Sequence, residues 1–319
     1  MAQVTCIEIC AGAGGQALGL EQSGFEPQAL VEIDSACCNT LRFNRPHWNI
    51  VEGDLREFEG KSFAGVDLLA GGVPCPPFSK AGKQLGKEDD RDLFPEALRL
   101  VDECKPRAVM LENVRGFLDA VFEDYRVNLK RQLEKMGYLA DWRLLNASGF
   151  GVSQLRPRVV IVAIRQDLAG NFSWPQSYGQ NPPTAGELLY KQMASCGWKG
   201  VDRWKQQADD IAPTIVGGSK KHGGPDLGPT RAKRAWASLG VDGMGIANEP
   251  PGKDFVGMPK LTVEMVAKIQ GFPDNWHFTG KKTPAYRQVG NAFPPPVAHA
   301  VAQEIFNCLN SKKIFAIAS

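Results

Sequence analysis

Up to about residue 165 the chain alternates between two hydrophobic rhythms. Short runs of Val, Ile, Leu and Ala predict strands at residues 5–10, 28–32, 66–70, 108–111, 140–145 and 159–164, with another ending just before Gly53-Asp54. Between them, residues 16–23, 35–43, 92–103 and 124–136 carry apolar side chains at three- and four-residue spacing, the signature of amphipathic helices. Strands separated by helix-length segments imply βαβ crossovers and a parallel sheet covered by helices, an α/β fold of Rossmann-like type. After Arg165 the rhythm fades. Residues 170–259 are rich in Gly, Pro, Trp and Lys, which predicts a smaller irregular domain with long loops. Periodicity resumes at 261–271, a short helix ended by Gly-Phe-Pro, and a last helix follows the Pro294-Pro295-Pro296 run at 297–309. The expected division is therefore 1–169, 170–259, and a segment 260–319 that returns to the first domain.

Composition narrows the partners. Of 319 residues 43% are hydrophobic, enough for a sizeable core, and 37 Lys and Arg against 35 Asp and Glu leave a net charge of +2. A nucleic acid would have to be met by a local basic face rather than by bulk charge. The 8 cysteines do not fall into paired CxxC spacing and the 4 histidines (His47, His222, His277, His299) are scattered, so no metal site is expected. Most of the cysteines read as small buried apolar residues of a reduced, cytoplasmic protein. Neither an N-terminal apolar leader nor a run of about 18 apolar residues is seen, so no membrane association is expected.

Two loops carry candidate chemistry. The first strand runs into Glu8-Ile9-Cys10-Ala11-Gly12-Ala13-Gly14-Gly15, and a helix starts at once. Glycines there let a ligand approach the backbone and face the helix N-terminus. Glu32, closing the next strand, suits ribose hydroxyls, and Asp54 suits an adenine amino group. This set predicts an adenosine-containing ligand, and the spacing also fits the relaxed dinucleotide pattern, so nicotinamide and S-adenosylmethionine both remain open. The plain alternative is a tight strand-to-helix turn with no ligand. The second loop is Gly71-Gly72-Val73-Pro74-Cys75-Pro76-Pro77-Phe78-Ser79, on the same carboxyl rim of the sheet. Its prolines and glycines present a thiol, a group that is intrinsically nucleophilic even when mostly protonated. On the same edge, Glu112-Asn113-Val114 ends one strand and Gln154-Leu155-Arg156-Pro157-Arg158 enters another, so a nucleophile, an acid and two guanidinium groups converge.

In that order, Ala11-Gly12-Ala13-Gly14-Gly15, Pro74-Cys75, Glu112-Asn113-Val114, Gln154-x-Arg156-x-Arg158 and Gln288-Val289-Gly290-Asn291-Ala292 resemble the motifs of the DNA cytosine-5 methyltransferases over nearly the whole chain. The resemblance implies S-adenosylmethionine as cofactor, held by Cys10, Ala11, Gly12, Gly14, Gly15, Glu32, Ile33, Asp54, Leu55, Pro74, Leu93, Asn291 and Ala292. It implies a catalytic set of Cys75, Glu112, Arg156 and Arg158, acting on a cytosine flipped out of duplex DNA. Cys75 would attack C6, Glu112 would protonate or hydrogen-bond N3, Arg158 would hold the base carbonyl or the acid, and Arg156 would support the loop. Ser79, Lys83, Gln84, Thr214, Gly217, Gly218, Lys220, Lys221 and Arg231 would meet the DNA. The charged segment 80–92 would suit a lid over the base, or simply a solvated loop.

The chain departs from the family pattern in places. Cys10 stands where most members have Phe, Ile33 where Trp is frequent, and Pro76 where Gln follows the nucleophile. Of the usual Arg-Glu pair, Leu261-Thr262-Val263-Glu264 keeps only the Glu. Residues 170–259 occupy the place of the family's recognition domain; Lys199, Arg203, Lys205, Lys220, Lys221, Arg231, Lys233 and Arg234, with Trp198, Trp204 and Trp236 among them, suit phosphate and base contacts. A tRNA-methylating branch carries Cys-Phe-Thr, which this chain lacks. A silent DNA-binding homologue is at odds with the intact Cys75, Glu112, Arg156 and Arg158, and a nicotinamide oxidoreductase would leave the Pro-Cys loop and the Gly-Asn motif idle. The expected form is a monomer of prokaryotic type, with a separate restriction endonuclease as a possible companion.

Overall fold

The first strand, β1 (Val4–Ile9), is buried at almost every position, as a strand must be when helices cover both faces of its sheet. The computed structural model of the chain describes residues 3–74, 92–217 and 224–311. The elements follow in order α1 (Gly15–Gln22), β2 (Phe25–Glu32), α2 (Ser35–Asn44), β3 (Ile50–Glu52), β4 (Leu68–Gly71), α3 (Phe94–Cys104), β5 (Ala108–Val114), α4 (Glu123–Lys135), β6 (Tyr138–Asn146) and β7 (Pro157–Arg165). After them come α5 (Ala185–Ala194), α6 (Val201–Gln207), α7 (Thr230–Ser238), α8 (Val263–Ile269), α9 (Lys282–Asn291) and α10 (Pro295–Asn310). One sheet has the order β3-β2-β1-β4-β5-β7-β6.

The side-chain alternation of the strands sorts the core. Cys6, Leu68, Ala70, Met110, Val160 and Val162 pack on one face with α10, while Ile7, Ile9, Leu69, Val109, Leu111 and Ile161 pack on the other with α3 and α4. β1 to β5 pair in parallel, as the crossovers predict. The last strand does not. β7 runs antiparallel to both of its neighbours, β5 and β6. The expectation of a wholly parallel sheet fails here because residues 147–156 hold only a 3-10 turn and an extended stretch, too little for a helical crossover. The reversal brings the start of β7 to the rim where β5 ends, with Val114 opposite Arg158.

Residues 170–259 are less irregular than their composition suggests. Thr184 caps α5 and forms a reciprocal capping box with Glu187, a Thr-x-x-Glu signal visible in the sequence. α5, α6 and α7 are short, so their apolar positions do not build a long periodic run. Trp198, Trp204 and Trp236, expected among DNA contacts, are instead buried in one cluster with Leu189, Met193, Val266, Tyr286 and Val289. Hydrophobic transfer decides this, because each large ring removes more apolar area from water than any other side chain. Sequence reading also missed α9, whose Pro284 lies in the first turn, where no intrahelical N–H is required. Among the described residues no helix is long and apolar enough to cross a membrane.

Candidate active site

At the carboxyl ends of β1 and β2 the chain turns sharply. Cys10, Gly12 and Gly14 all take left-handed backbone angles (φ 51°, 54° and 88°), and the amide of Leu18 then donates to Gly14 O to open α1. Gly15 must be glycine for a different reason: a Cβ there would stand 2.1 Å from the carbonyl oxygen of Phe293. Residues at opposite ends of the chain therefore share one wall. They enclose a cavity of about 560 Å³ lined by Glu8, Cys10, Ala11, Gly12, Gly15, Gln16, Glu32, Ile33, Asp54, Leu55, Pro74, Leu93, Glu112, Asn291, Ala292 and Phe293, among others.

Of the thirteen residues that the sequence assigns to a cofactor, twelve line this cavity. Gly14 does not. It faces Leu41 and Trp276, where a Cβ would meet the two side chains at 2.7 and 2.8 Å. Glu32 accepts the amide of Gly12 through Oε2 and the amide of Asp34 through Oε1, each at 2.7 Å. It thus fixes the glycine turn and the start of α2 together. Burial raises its carboxyl above the ordinary range, while the two amides oppose the rise. Asp54 caps the turn after β3 by accepting the Arg56 amide at 3.0 Å, and its carboxyl is held low by that bond and by the Arg56 guanidinium. Ile33 is well exposed at the cavity edge, able to present a flat apolar surface to a ring. Burial pushes the Cys10 thiol up to about 12, so it is a neutral wall group.

Glu8 and Gln16 were not singled out from the sequence, because a polar residue in a buried strand or first helical turn gives no pattern of its own. Each has a buried oxygen without a hydrogen-bond partner among the described residues, Glu8 Oε2 and Gln16 Oε1, and each residue lines the cavity. Burial first, then the nearby Glu32, hold Glu8 well above the usual carboxylate range. Unsatisfied buried polar atoms on a cavity wall fit a ligand that carries its own donors.

On the wall of the cavity Glu112, on β5, meets Arg158, on β7. The Nε of Arg158 lies 2.8 Å from Glu112 Oε1, and both side chains are only 13% exposed. Burial raises the Glu112 carboxyl, and the two neighbouring guanidinium groups of Arg158 and Arg156 hold the rise back. Glu112 Oε2 faces Gly72, where a Cβ would stand 3.6 Å away. The next residue, Asn113, donates through Nδ2 to Val73 O at 3.0 Å, and the Leu93 amide reaches Pro74 O at 3.3 Å. These two bonds tie the chain on either side of residues 75–91 to the rim. Asn113 is a site residue that sequence reading quoted in a motif without a role.

Arg156 is placed otherwise than its partner in the motif. Its charge is felt at Glu112, but both its Nη groups are engaged elsewhere: Nη1 donates to Ile215 O at 2.7 Å, and Nη2 to Gly290 O and Ala292 O at 2.8 and 3.0 Å, while the buried Nε has no partner among the described residues. It is wholly buried and acts by positioning backbone. Thr214 is half-buried with its hydroxyl on Leu155 O, Gly217 is buried, and Arg231 is exposed on α7. Several basic side chains expected at a nucleic acid have protein partners: Lys199 pairs with Asp254, Lys233 with Asp226, and Lys205 lies over the Tyr190 ring. Cys75, Pro76, Ser79, Lys83, Gln84, Gly218, Lys220 and Lys221, with most of the segment 80–92, lie outside the described residues.

Comparison with known proteins gives a concordant picture. The model of the C-5 cytosine-specific DNA methylases matches residues 4–307. The chain is 55% identical over 313 residues to the Type II methyltransferase M.NgoMIV of Neisseria gonorrhoeae, covering 97% of this chain and 99% of that protein. It is 57% identical over 316 residues to the Type II methyltransferase M.NaeI of Lentzea aerocolonigenes, covering 97% and 76%. Among solved structures, Spodoptera frugiperda DNMT2 superposes with a TM-score of 0.67 at 19% identity, covering 95% of this chain and 99% of that one. The Entamoeba histolytica methyltransferase EhMeth gives 0.68 at 17%, covering 98% and 100%. At such identities the two structures speak for the fold.

Proposed function

The chain belongs to the C-5 cytosine-specific DNA methylase family and is a DNA (cytosine-5)-methyltransferase, and from that premise we propose that it methylates a flipped-out cytosine through a covalent bond to Cys75, with S-adenosylmethionine as donor. The observation that carries the reading is the buried Glu112–Arg158 pair on the wall of an adenosyl-sized cavity, beside the backbone that leads to Cys75. Bound in the cavity, S-adenosylmethionine would supply an electrophilic methyl group. Glu32, Asp54, Ile33 and the Asn291–Ala292 wall are the residues that would hold it.

Cytosine C5 is a weak nucleophile, so the ring must gain electrons first. The Cys75 thiolate adds to C6, and the electron pair moves through the ring to N3. A proton on Glu112 meets that pair; burial favours the protonated acid that this step needs. Arg158 fixes the carboxyl orientation and stays within reach of the base carbonyl. C5 of the resulting enamine then takes the methyl group. Loss of the C5 proton to a base restores the double bond, expels Cys75 from C6 and returns the N3 proton to Glu112. Residues 170–259 serve as the recognition domain, with Thr214, Gly217, Gly218, Lys220, Lys221 and Arg231 toward the DNA. The proposed form is a cytoplasmic monomer, with a separate restriction endonuclease as a possible companion.

The experiment is tritium transfer from labelled S-adenosylmethionine to duplex DNA, single-stranded DNA and tRNA in parallel, followed by duplex containing 5-fluorocytosine. Fluorine cannot leave C5 as a cation, so a covalent adduct should survive denaturation in the native protein and be absent in Cys75→Ala. Transfer to duplex DNA without any trapped adduct would sink the covalent step, and label in tRNA alone would sink the substrate.

A further inference from the structure

The segment Gln154-Leu155-Arg156-Pro157-Arg158 divides its work between two places. Arg158 turns to Glu112. Gln154 and Arg156, from the same stretch, both turn to the backbone of Ile215. Gln154 Oε1 accepts the Ile215 amide at 2.9 Å, and Gln154 Nε2 reaches Gln270 Oε1 at 2.5 Å. The three bonds of Arg156 span two separate stretches, with Ile215 on one side and Gly290 and Ala292 on the other. The Tyr286 hydroxyl, also on α9, lies 3.0 Å from Val216 O and 2.6 Å from Asp226 O.

The two stretches also touch without slack. A Cβ on Gly290 would stand 2.4 Å from the Cα of Gly217, and a Cβ on Gly217 would stand 2.3 Å from Asn291 Oδ1 and 2.7 Å from Asn291 N. Asn291 and Ala292 line the cavity, whereas Gly217 does not. A guanidinium is costlier to bury than an apolar side chain of its size. What it provides here is a rigid fork whose donors lock carbonyls of both stretches in one geometry. A displacement of Asn291–Ala292 on the cavity side cannot be absorbed at Gly217.

We propose that Arg156 and the Gly217–Gly290 contact couple the 214–217 segment to the cofactor wall, so that occupancy of one site changes affinity at the other. This rests on reading 214–217 as part of the DNA-recognition segment and the cavity as the S-adenosylmethionine site. Arg156 is then a positioning residue, and by linkage the effect is reciprocal: duplex tightens S-adenosylhomocysteine by the factor with which S-adenosylhomocysteine tightens duplex.

The test is calorimetric titration of S-adenosylhomocysteine into the full-length protein, alone and saturated with a duplex that the wild type methylates. The wild type should show affinities differing by about 5-fold or more, the lower end of ordinary allosteric coupling. Arg156→Met should bring that ratio close to one while each ligand still binds, and Arg156→Lys should give an intermediate ratio. A merely structural role would lower the melting temperature and leave the ratio alone, so a folded Arg156→Met with the wild-type ratio overturns the proposal. Should Arg156→Met fail to fold, Gly217→Ala decides. It should weaken S-adenosylhomocysteine about 10-fold with no DNA present, and unchanged affinity overturns the coupling. A wild type that binds neither ligand refutes the functional reading itself; one that binds both independently leaves that reading intact and refutes the coupling.

Discussion

Arg158→Met removes the guanidinium from Glu112 and leaves the acid where it is, buried on the cavity wall. Breaking a buried ion pair from one side costs roughly 3–5 kcal/mol when the remaining charge cannot escape. Glu112 can escape by taking a proton. From an unperturbed value near 4.3, protonation at about pH 7.5 costs at most about 4.4 kcal/mol, at about 1.4 kcal/mol per pH unit. Burial has already raised the carboxyl in the native protein, so the true cost is smaller. We expect a loss of about 2–4 kcal/mol at about pH 7.5. The sign follows from proton counting. Without Arg158 the folded acid rises further, so between the native and variant values only the variant holds the proton. Its deficit therefore grows as pH rises through that window and shrinks below it, where both proteins are protonated. Urea unfolding at about pH 5.5, 6.5 and 7.5, with Glu112→Gln and the double variant closing a cycle, measures both the slope and the coupling. A loss independent of pH, or single effects that simply add, would show that the two side chains are not energetically paired.

Three further outcomes follow from other parts of the molecule. Glu32→Gln keeps the shape but can no longer accept two amides as a carboxylate, so S-adenosylhomocysteine affinity should fall by roughly 1–3 kcal/mol in a calorimetric titration. Trp236→Ala should cost about 3–5 kcal/mol of stability by leaving a cavity; because the indole N–H has no partner among the described residues, Trp236→Phe should cost far less, and equal losses by thermal melting would contradict this. Exchanging residues 170–259 for those of a relative with another specificity should move the methylated site, as read by bisulfite sequencing, and an unmoved site would misplace the recognition domain.

The sheet was legible wherever apolar alternation and helical spacing agreed. β1, β2, β5 and the helices between them lie within a few residues of their predicted bounds. The reversal of β7 was not legible, because strand direction is set by the length of the connection and the pairing partner rather than by the strand's own composition. Most cavity residues could be anticipated because turns that bind through backbone need glycines and acids at set places. Arg156 shows the limit. The resemblance gave Arg158 the base or the acid and Arg156 the support of the loop, but not which backbone Arg156 would hold; the residue between them is proline and Arg156 lies before β7 begins. Its side chain therefore leaves the sheet edge and finds carbonyls from far along the chain. The tryptophans of α6 and α7 failed for the opposite reason: interleaved with lysines, they look like a binding face until short helices bury them.

The cavity wall is shared between Gly15 and Phe293, and this sets when, during synthesis, the protein can first hold a small molecule. A nascent chain that has emerged only as far as β7 already owns the glycine turn, Glu32, Glu112 and Arg158, yet it lacks the wall formed by Asn291, Ala292 and Phe293. Contacts that span so much of the sequence also form slowly, since closing a long loop precedes any reward from it. At roughly 5–20 residues per second, the ribosome needs roughly 6–26 s more to deliver them. Partial chains released early should have an open, incomplete pocket, which closes only after nearly all of its scaffold has been made.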